Sequence, residues 1–173
     1  MLSSGAAIDR LPRTSGKHAL AAAAVIAGVT AVALSCTVDT ELGLAAQITA
    51  AEVHAAGSGA SAVVSVDLTA DVRVGEHAQG TRMFIVPRAD LLVGDAIVAT
   101  VNLDRPAGFD GSLDPGVSRT LVLHGATLAG AFDPAPLCAS PAPAVRVVLH
   151  WEDRTAMEMG TAETSTMRVT CTP

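Results

Sequence analysis

Asp104, Asp110 and Asp114 stand in one glycine-rich stretch, DRPAGFDGSLDPG, where three carboxylates could converge on a cation. Calcium takes six to eight oxygen ligands, so a 104–116 loop of this kind is a candidate calcium site. The spacing matches no EF-hand, which places acids at every second position. Asp in Gly/Pro turns also serves to hydrogen-bond its own backbone. A second group of reactive side chains is His150-Trp151-Glu152-Asp153. Neighbouring residues of a strand face opposite ways, so Trp151 is expected as a core anchor and His150 on the surface. His54, His77 and His124 are scattered along the chain. No G-x-S-x-G elbow, H-E-x-x-H pair or phosphate-binding loop is present. The one lysine is Lys17, so a Ser–Lys dyad or Schiff-base lysine has no source beyond Cys36. A hydrolase would need a site assembled from residues far apart in sequence.

The first 36 residues carry an address. Residues 1–18 hold Arg10, Arg13 and Lys17 against one acid, Asp9, and residues 19–35 carry no charge. A basic flank, an apolar run and small residues form the three-part layout of an export signal. As a helix the run would span about 25 Å, short of the roughly 30 Å hydrocarbon core. A buried core helix would need covering on every side, which one small domain rarely manages. The segment Ala33-Leu34-Ser35-Cys36 resembles a bacterial lipobox, with Ala33 where that family most often has Leu. The resemblance implies cleavage before Cys36 and attachment of lipid to its sulfur, holding the protein on a membrane. Ordinary cleavage after Ser35, or an uncleaved anchor helix, fits the same residues.

The chain has three cysteines, Cys36, Cys138 and Cys171, and an odd count in an exported protein leaves one over. With lipid on Cys36, the other two can pair and none is left free. A Cys138–Cys171 bond would close a loop of about 34 residues, worth roughly 3–4 kcal/mol on the chain-entropy estimate. It would also fasten a C-terminus that otherwise frays. No C-x-x-C or paired histidine spacing points to zinc instead.

The elements that must position these residues read as strands. In residues 62–74, Val64, Val66, Leu68, Ala70, Val72 and Val74 alternate with Ser65, Asp67, Thr69, Asp71 and Arg73. That period of two marks a half-buried antiparallel strand and is not produced by a helix. Residues 95–103 repeat it with Ile97, Ala99, Val101 and Leu103 expected inward. Residues 145–151 do so with Val145, Val147, Leu149 and Trp151. Residues 166–171 alternate likewise, and 81–86 and 118–124 are shorter candidates. Residues 40–56 are ambiguous, Gly43 interrupting a helical composition, and 46–55 is read as strand. Gly and Pro clusters, Pro87 and Gly94-Asp95 among them, punctuate the runs. The Pro-rich 133–143 stretch is expected to be a crossover loop. Residues 94–108 are similar to a strand-and-corner stretch of many bacterial immunoglobulin-like modules, a stretch that strand chemistry alone also produces.

The expected fold is therefore an all-β antiparallel sandwich, possible as an immunoglobulin-like one, over residues 46–173. A tether, 36–45, and an export signal or anchor helix, 1–35, precede it. From Cys36 onward the chain has eight Arg against sixteen acids, which argues against nucleic acid and against a basic membrane-binding face. With no Tyr, one Trp and three Phe, it lacks stacking platforms for bases or sugars. The expectation is a non-catalytic cell-envelope protein, membrane-anchored at its N-terminus and acting through other envelope proteins. The alternatives are a secreted ligand-binding module that uses calcium at the 104–116 loop, and a hydrolase. Calcium aside, no cofactor is expected.

Overall fold

A computed structural model describes residues 43–173. The leader, Cys36 and the tether up to residue 42 lie outside the described residues. The elements in chain order are β1 (Leu44–Ala56), β2 (Val63–Val74), β3 (Arg82–Val93), β4 (Ala96–Leu103) and β5 (Ser112–Leu113), then β6 (Ser118–Ala126), β7 (Val145–Asp153), β8 (Glu158–Glu163) and β9 (Thr170–Thr172). Among the described residues, helical structure is limited to a single turn, Gly59–Ser61.

β2 shows most simply why this sequence forms strands. Its Val64, Val66, Ala70, Val72 and Val74 are fully buried, and Leu68 is 1% exposed. Asp67, Asp71 and Arg73 fall on the other face. β-branched side chains suit this geometry because a pleated surface accepts their stiff χ1. β1 and β6 pair with β2 on either side, both antiparallel.

The strands run in the order β8-β7-β3-β4-β6-β2-β1-β9, with β5 added beside β3. The pairs are antiparallel except β1–β9, where His54, Ala55 and Ala56 lie parallel to Thr170, Cys171 and Thr172. The sheet is therefore mixed, which corrects the all-antiparallel expectation. The joint between β4 and β6 is short, with Asn102 opposite Ala126 and Leu103 opposite Gly125. It separates a β8-β7-β3-β4 half from a β6-β2-β1-β9 half. β1 also packs near β7 and β8. The buried residues form one cluster of Val, Leu and Ala with Phe84, Phe109, Phe132 and Trp151.

Bulges explain where alternation misleads. In β1 the pairing steps from Ile48–Ala70 to Ala50–Thr69, leaving Thr49 as the extra residue. Its core-facing residues shift from Leu44, Ala46 and Ile48 to Ala51, Val53 and Ala55. The strand starts at Leu44, which is buried, so two residues assigned to the tether belong to the sheet. In β4 the pairing steps from Leu91–Ala99 to Leu92–Ile97, leaving Val98 as the extra residue. Ile97 is consequently turned outward at 61% exposure, against the inward expectation. An extra residue reverses the face of everything beyond it.

Pro87 does not end its strand. β3 runs through it, and the β3–β7 register shifts between Ile85 and Arg88 to accommodate it. Proline lacks an N–H, so it is tolerated where the ladder is already broken. Residues 166–171 form less strand than expected: Met167 makes an isolated bridge to Val145, and β9 is three residues long. β8 has no counterpart in the sequence reading, because Ala162 is its one buried residue.

Candidate functional site

Residues 133–143 form the expected loop, and it reaches inward, with Leu137 1% exposed in the core. A turn at Pro134, whose carbonyl accepts from the Leu137 and Cys138 amides, presents Cys138 to β9. The Cys138 and Cys171 sulfurs are 1.97 Å apart and the Cα atoms 5.9 Å, so the two form a disulfide. It links that loop to a C-terminal strand held by three residue pairs.

The three aspartates of the 104–116 stretch are not gathered. Asp110 Oδ1 accepts the Ser112 amide at 2.8 Å, and Asp114 Oδ1 accepts the Thr81 hydroxyl at 2.6 Å. Asp104 is tied through its backbone amide to the His124 carbonyl. Among the described residues, no group of three or more His, Cys, Asp or Glu could hold a metal ion. The Asp110 and Asp114 carboxylates are engaged separately, and Asp104 is held by its backbone, so the geometry does not assemble the calcium ligand set read from the sequence.

His150 and Trp151 face opposite ways, as strand alternation requires. Trp151 lies in the core against Phe84, ring centroids 6.3 Å apart. It crosses Gly160 of β8, where a Cβ would fall 2.1 Å from the indole. His150 is not a free surface residue. It donates from Nε2 to Asp90 Oδ2 at 2.7 Å, while the Thr100 hydroxyl donates to Oδ1 at 2.7 Å. Asp90 is 5% exposed, and the two donors satisfy a carboxylate that burial would otherwise penalise. A nucleophilic triad puts the base between hydroxyl and acid. Here the acid is in the middle, so this network ties β4, β3 and β7 together across the outer face. Of the scattered histidines, His124 donates to Asp67 across β6 and β2, and His54 lies 3.6 Å from Glu52.

A cleft of about 490 Å³ opens where β4 leaves β3. β4 pairs with β3 as far as Asn102–Arg88, then turns to β6 through Leu103 and the Asp104 amide. The chain returns at Gly111, whose carbonyl accepts the Phe84 amide at 2.8 Å, and continues as β5. Ile85, Val86 and Pro87 are left facing the gap. Gly111 has φ +95°, and a Cβ there would meet Met83 Sδ at 2.9 Å and Phe84 O at 3.1 Å. Glycine therefore permits the chain to close on β3 at the end of the cleft.

The 104–111 loop is fastened by Arg105, which donates from Nε to the Phe109 carbonyl at 3.1 Å and from Nη2 to the Asp110 carbonyl. Phe109 plugs the core beside Phe84, centroids 6.4 Å apart. The Arg119 guanidinium sits 5.7 Å over the Phe109 ring, and Arg154 lines the cleft from the β7 side. Arg105, just past β4, and Arg154, just past β7, both line the cleft, while Arg119 of β6 lies against the same loop through Phe109. Sequence reading weighed the acids of this loop and missed its arginines. The one available signal was a lysine-free domain with few arginines, one of them in the loop itself. Compared with protein-family models, curated proteins and solved structures, the chain matches none.

Proposed function

We propose that this protein is an exported β-sandwich, lipid-anchored through Cys36, that serves the cell envelope as a non-catalytic interaction or structural module. The observation that carries the reading is the Cys138–Cys171 bridge. Disulfides persist in oxidising compartments, and this one uses two of the three cysteines in the sequence. The cysteine left over is Cys36, directly behind the apolar run and inside the lipobox-like segment. The two four-strand halves, joined at Asn102–Ala126 and Leu103–Gly125, support the sandwich, and the immunoglobulin-like assignment belongs to the same proposal. Hydroxyl and imidazole bonds that both end on Asp90 support a non-catalytic role.

The test is labelled-palmitate incorporation with intact mass before and after reduction. The expected result is a lipidated species beginning at Cys36, a gain of two hydrogens on reduction, and loss of label in Cys36→Ala. Label that persists in Cys36→Ala overturns the anchor, and a mass unchanged by reduction overturns the oxidised compartment.

A further inference from the structure

We propose that the cleft between β3 and the 104–111 loop binds a linear aliphatic carboxylate, tail inward and head at Arg105 and Arg154. The volume, about 490 Å³, falls in the range of small-ligand sites. Its lining includes the aliphatic side chains of Ile85, Val86, Pro87 and Leu103, with Met83 and Pro106. Phe84 is 2% exposed, and Phe109, 6% exposed, packs against Phe84 and beneath the Arg119 guanidinium, so neither ring offers a free face to stack a planar ligand. That favours a flexible chain over an aromatic ring.

Charge selects the head. Sixteen acids outnumber eight arginines from Cys36 onward, yet three of those arginines surround this one loop. The hydrogen bonds that fix Arg105 end on neutral carbonyls, so they place its charge without cancelling it. Arg154 lies 3.7 Å from Glu152 in a pair open to solvent, which competes weakly with an incoming anion. Guanidinium groups suit carboxylates and phosphates alike. Asp110 on the lining and Glu152 beside it disfavour a second negative charge, which points to a carboxylate.

The sequence supplies its own reporter: Trp151 is the one Trp, there is no Tyr, and its ring packs on Phe84 of the cleft. The full chain, disulfide intact in phosphatidylcholine vesicles, would be titrated with octanoate, octanol, octylammonium and octyl phosphate while Trp151 emission is followed. The expected result is saturable binding of octanoate, tighter than octanol by about tenfold or more, as a charge-assisted hydrogen bond implies. Arg154→Ala, a change at an exposed side chain, should weaken octanoate about three- to tenfold and leave octanol unchanged. Ile85→Phe should fill the cleft and abolish both.

Absence of saturable binding overturns the proposal, as does octylammonium binding as well as octanoate. Tighter binding of octyl phosphate overturns the carboxylate assignment. These outcomes do not depend on Cys36 and leave the anchor reading to its own test.

Discussion

β2 and β3 are each the middle of a half, yet they are built differently. β2 has an antiparallel neighbour along both sides, and every second residue from Val64 to Val74 is at most 1% exposed. β3 carries two irregularities, at Val86–Pro87 against β7 and opposite Val98 of β4. The one irregularity beside β2 is Thr49, an extra residue of β1 and not of β2, and the β2–β6 ladder is uninterrupted, so the apolar face of β2 can be packed to completion. A broken ladder frees a few residues from pairing, and the chain can peel away. The cleft sits at that break, beside Ile85, Val86 and Pro87, and nothing comparable interrupts β2 along its pairing with β6.

The largest effect should come from breaking the regular half. Leu68 is 1% exposed in the centre of β2, so Leu68→Ala should destabilise the domain by about 2–5 kcal/mol. Urea unfolding followed by Trp151 fluorescence would measure it. Trp151 lies in the other half, so the experiment also asks whether the halves unfold together. A single transition shifted to lower urea is expected. A Trp151 transition unmoved by Leu68→Ala would mean that the halves are independent.

The joint is the next place to press. Gly125 lies opposite Leu103, and a Cβ there would fall 2.3 Å from the Asn102 carbonyl oxygen. Backbone cannot yield as a flexible side chain can, so Gly125→Ala should cost about 1–3 kcal/mol. The strain falls on the segment where β4 leaves β3 for β6. Hydrogen exchange should therefore rise at Asn102 and Asp104 before it rises anywhere in β2. Exchange that rises uniformly would show that the joint has no separate role.

Legibility in the sequence follows the same division. β2 and β7 could be read directly, because alternation with Val, Leu and Trp leaves one assignment of faces. β1 could not, since the extra Thr49 moves its apolar residues from even to odd positions and erases the period. β8 was invisible because an edge strand with one buried Ala has little pattern to show. The disulfide partners were legible from cysteine number and the lipobox-like segment. The arginine-rimmed cleft was not, because Arg105 and Arg154 are brought to it by the path of the chain after β4 and after β7, and no local spacing encodes that path. Asp90 was overlooked for a related reason: its value lies in Thr100, its register partner on β4, and in His150, two residues along β7 from its partner Val148.

Ile97 offers the finest test of what a bulge does to a pattern. Simple alternation from Val101 through Ala99 would place Ile97 in the core, whereas the extra Val98 leaves it 61% exposed. Ile97→Thr keeps a β-branched side chain on a strand surface and should change stability by no more than about 0.5 kcal/mol. Val101→Thr puts a hydroxyl at a fully buried position of the same strand and should cost about 1–3 kcal/mol. The two urea midpoints, compared side by side, read the register of β4 directly. Equal losses would mean that β4 pairs with β3 without the bulge, and that the irregular half is as regular as the one built on β2.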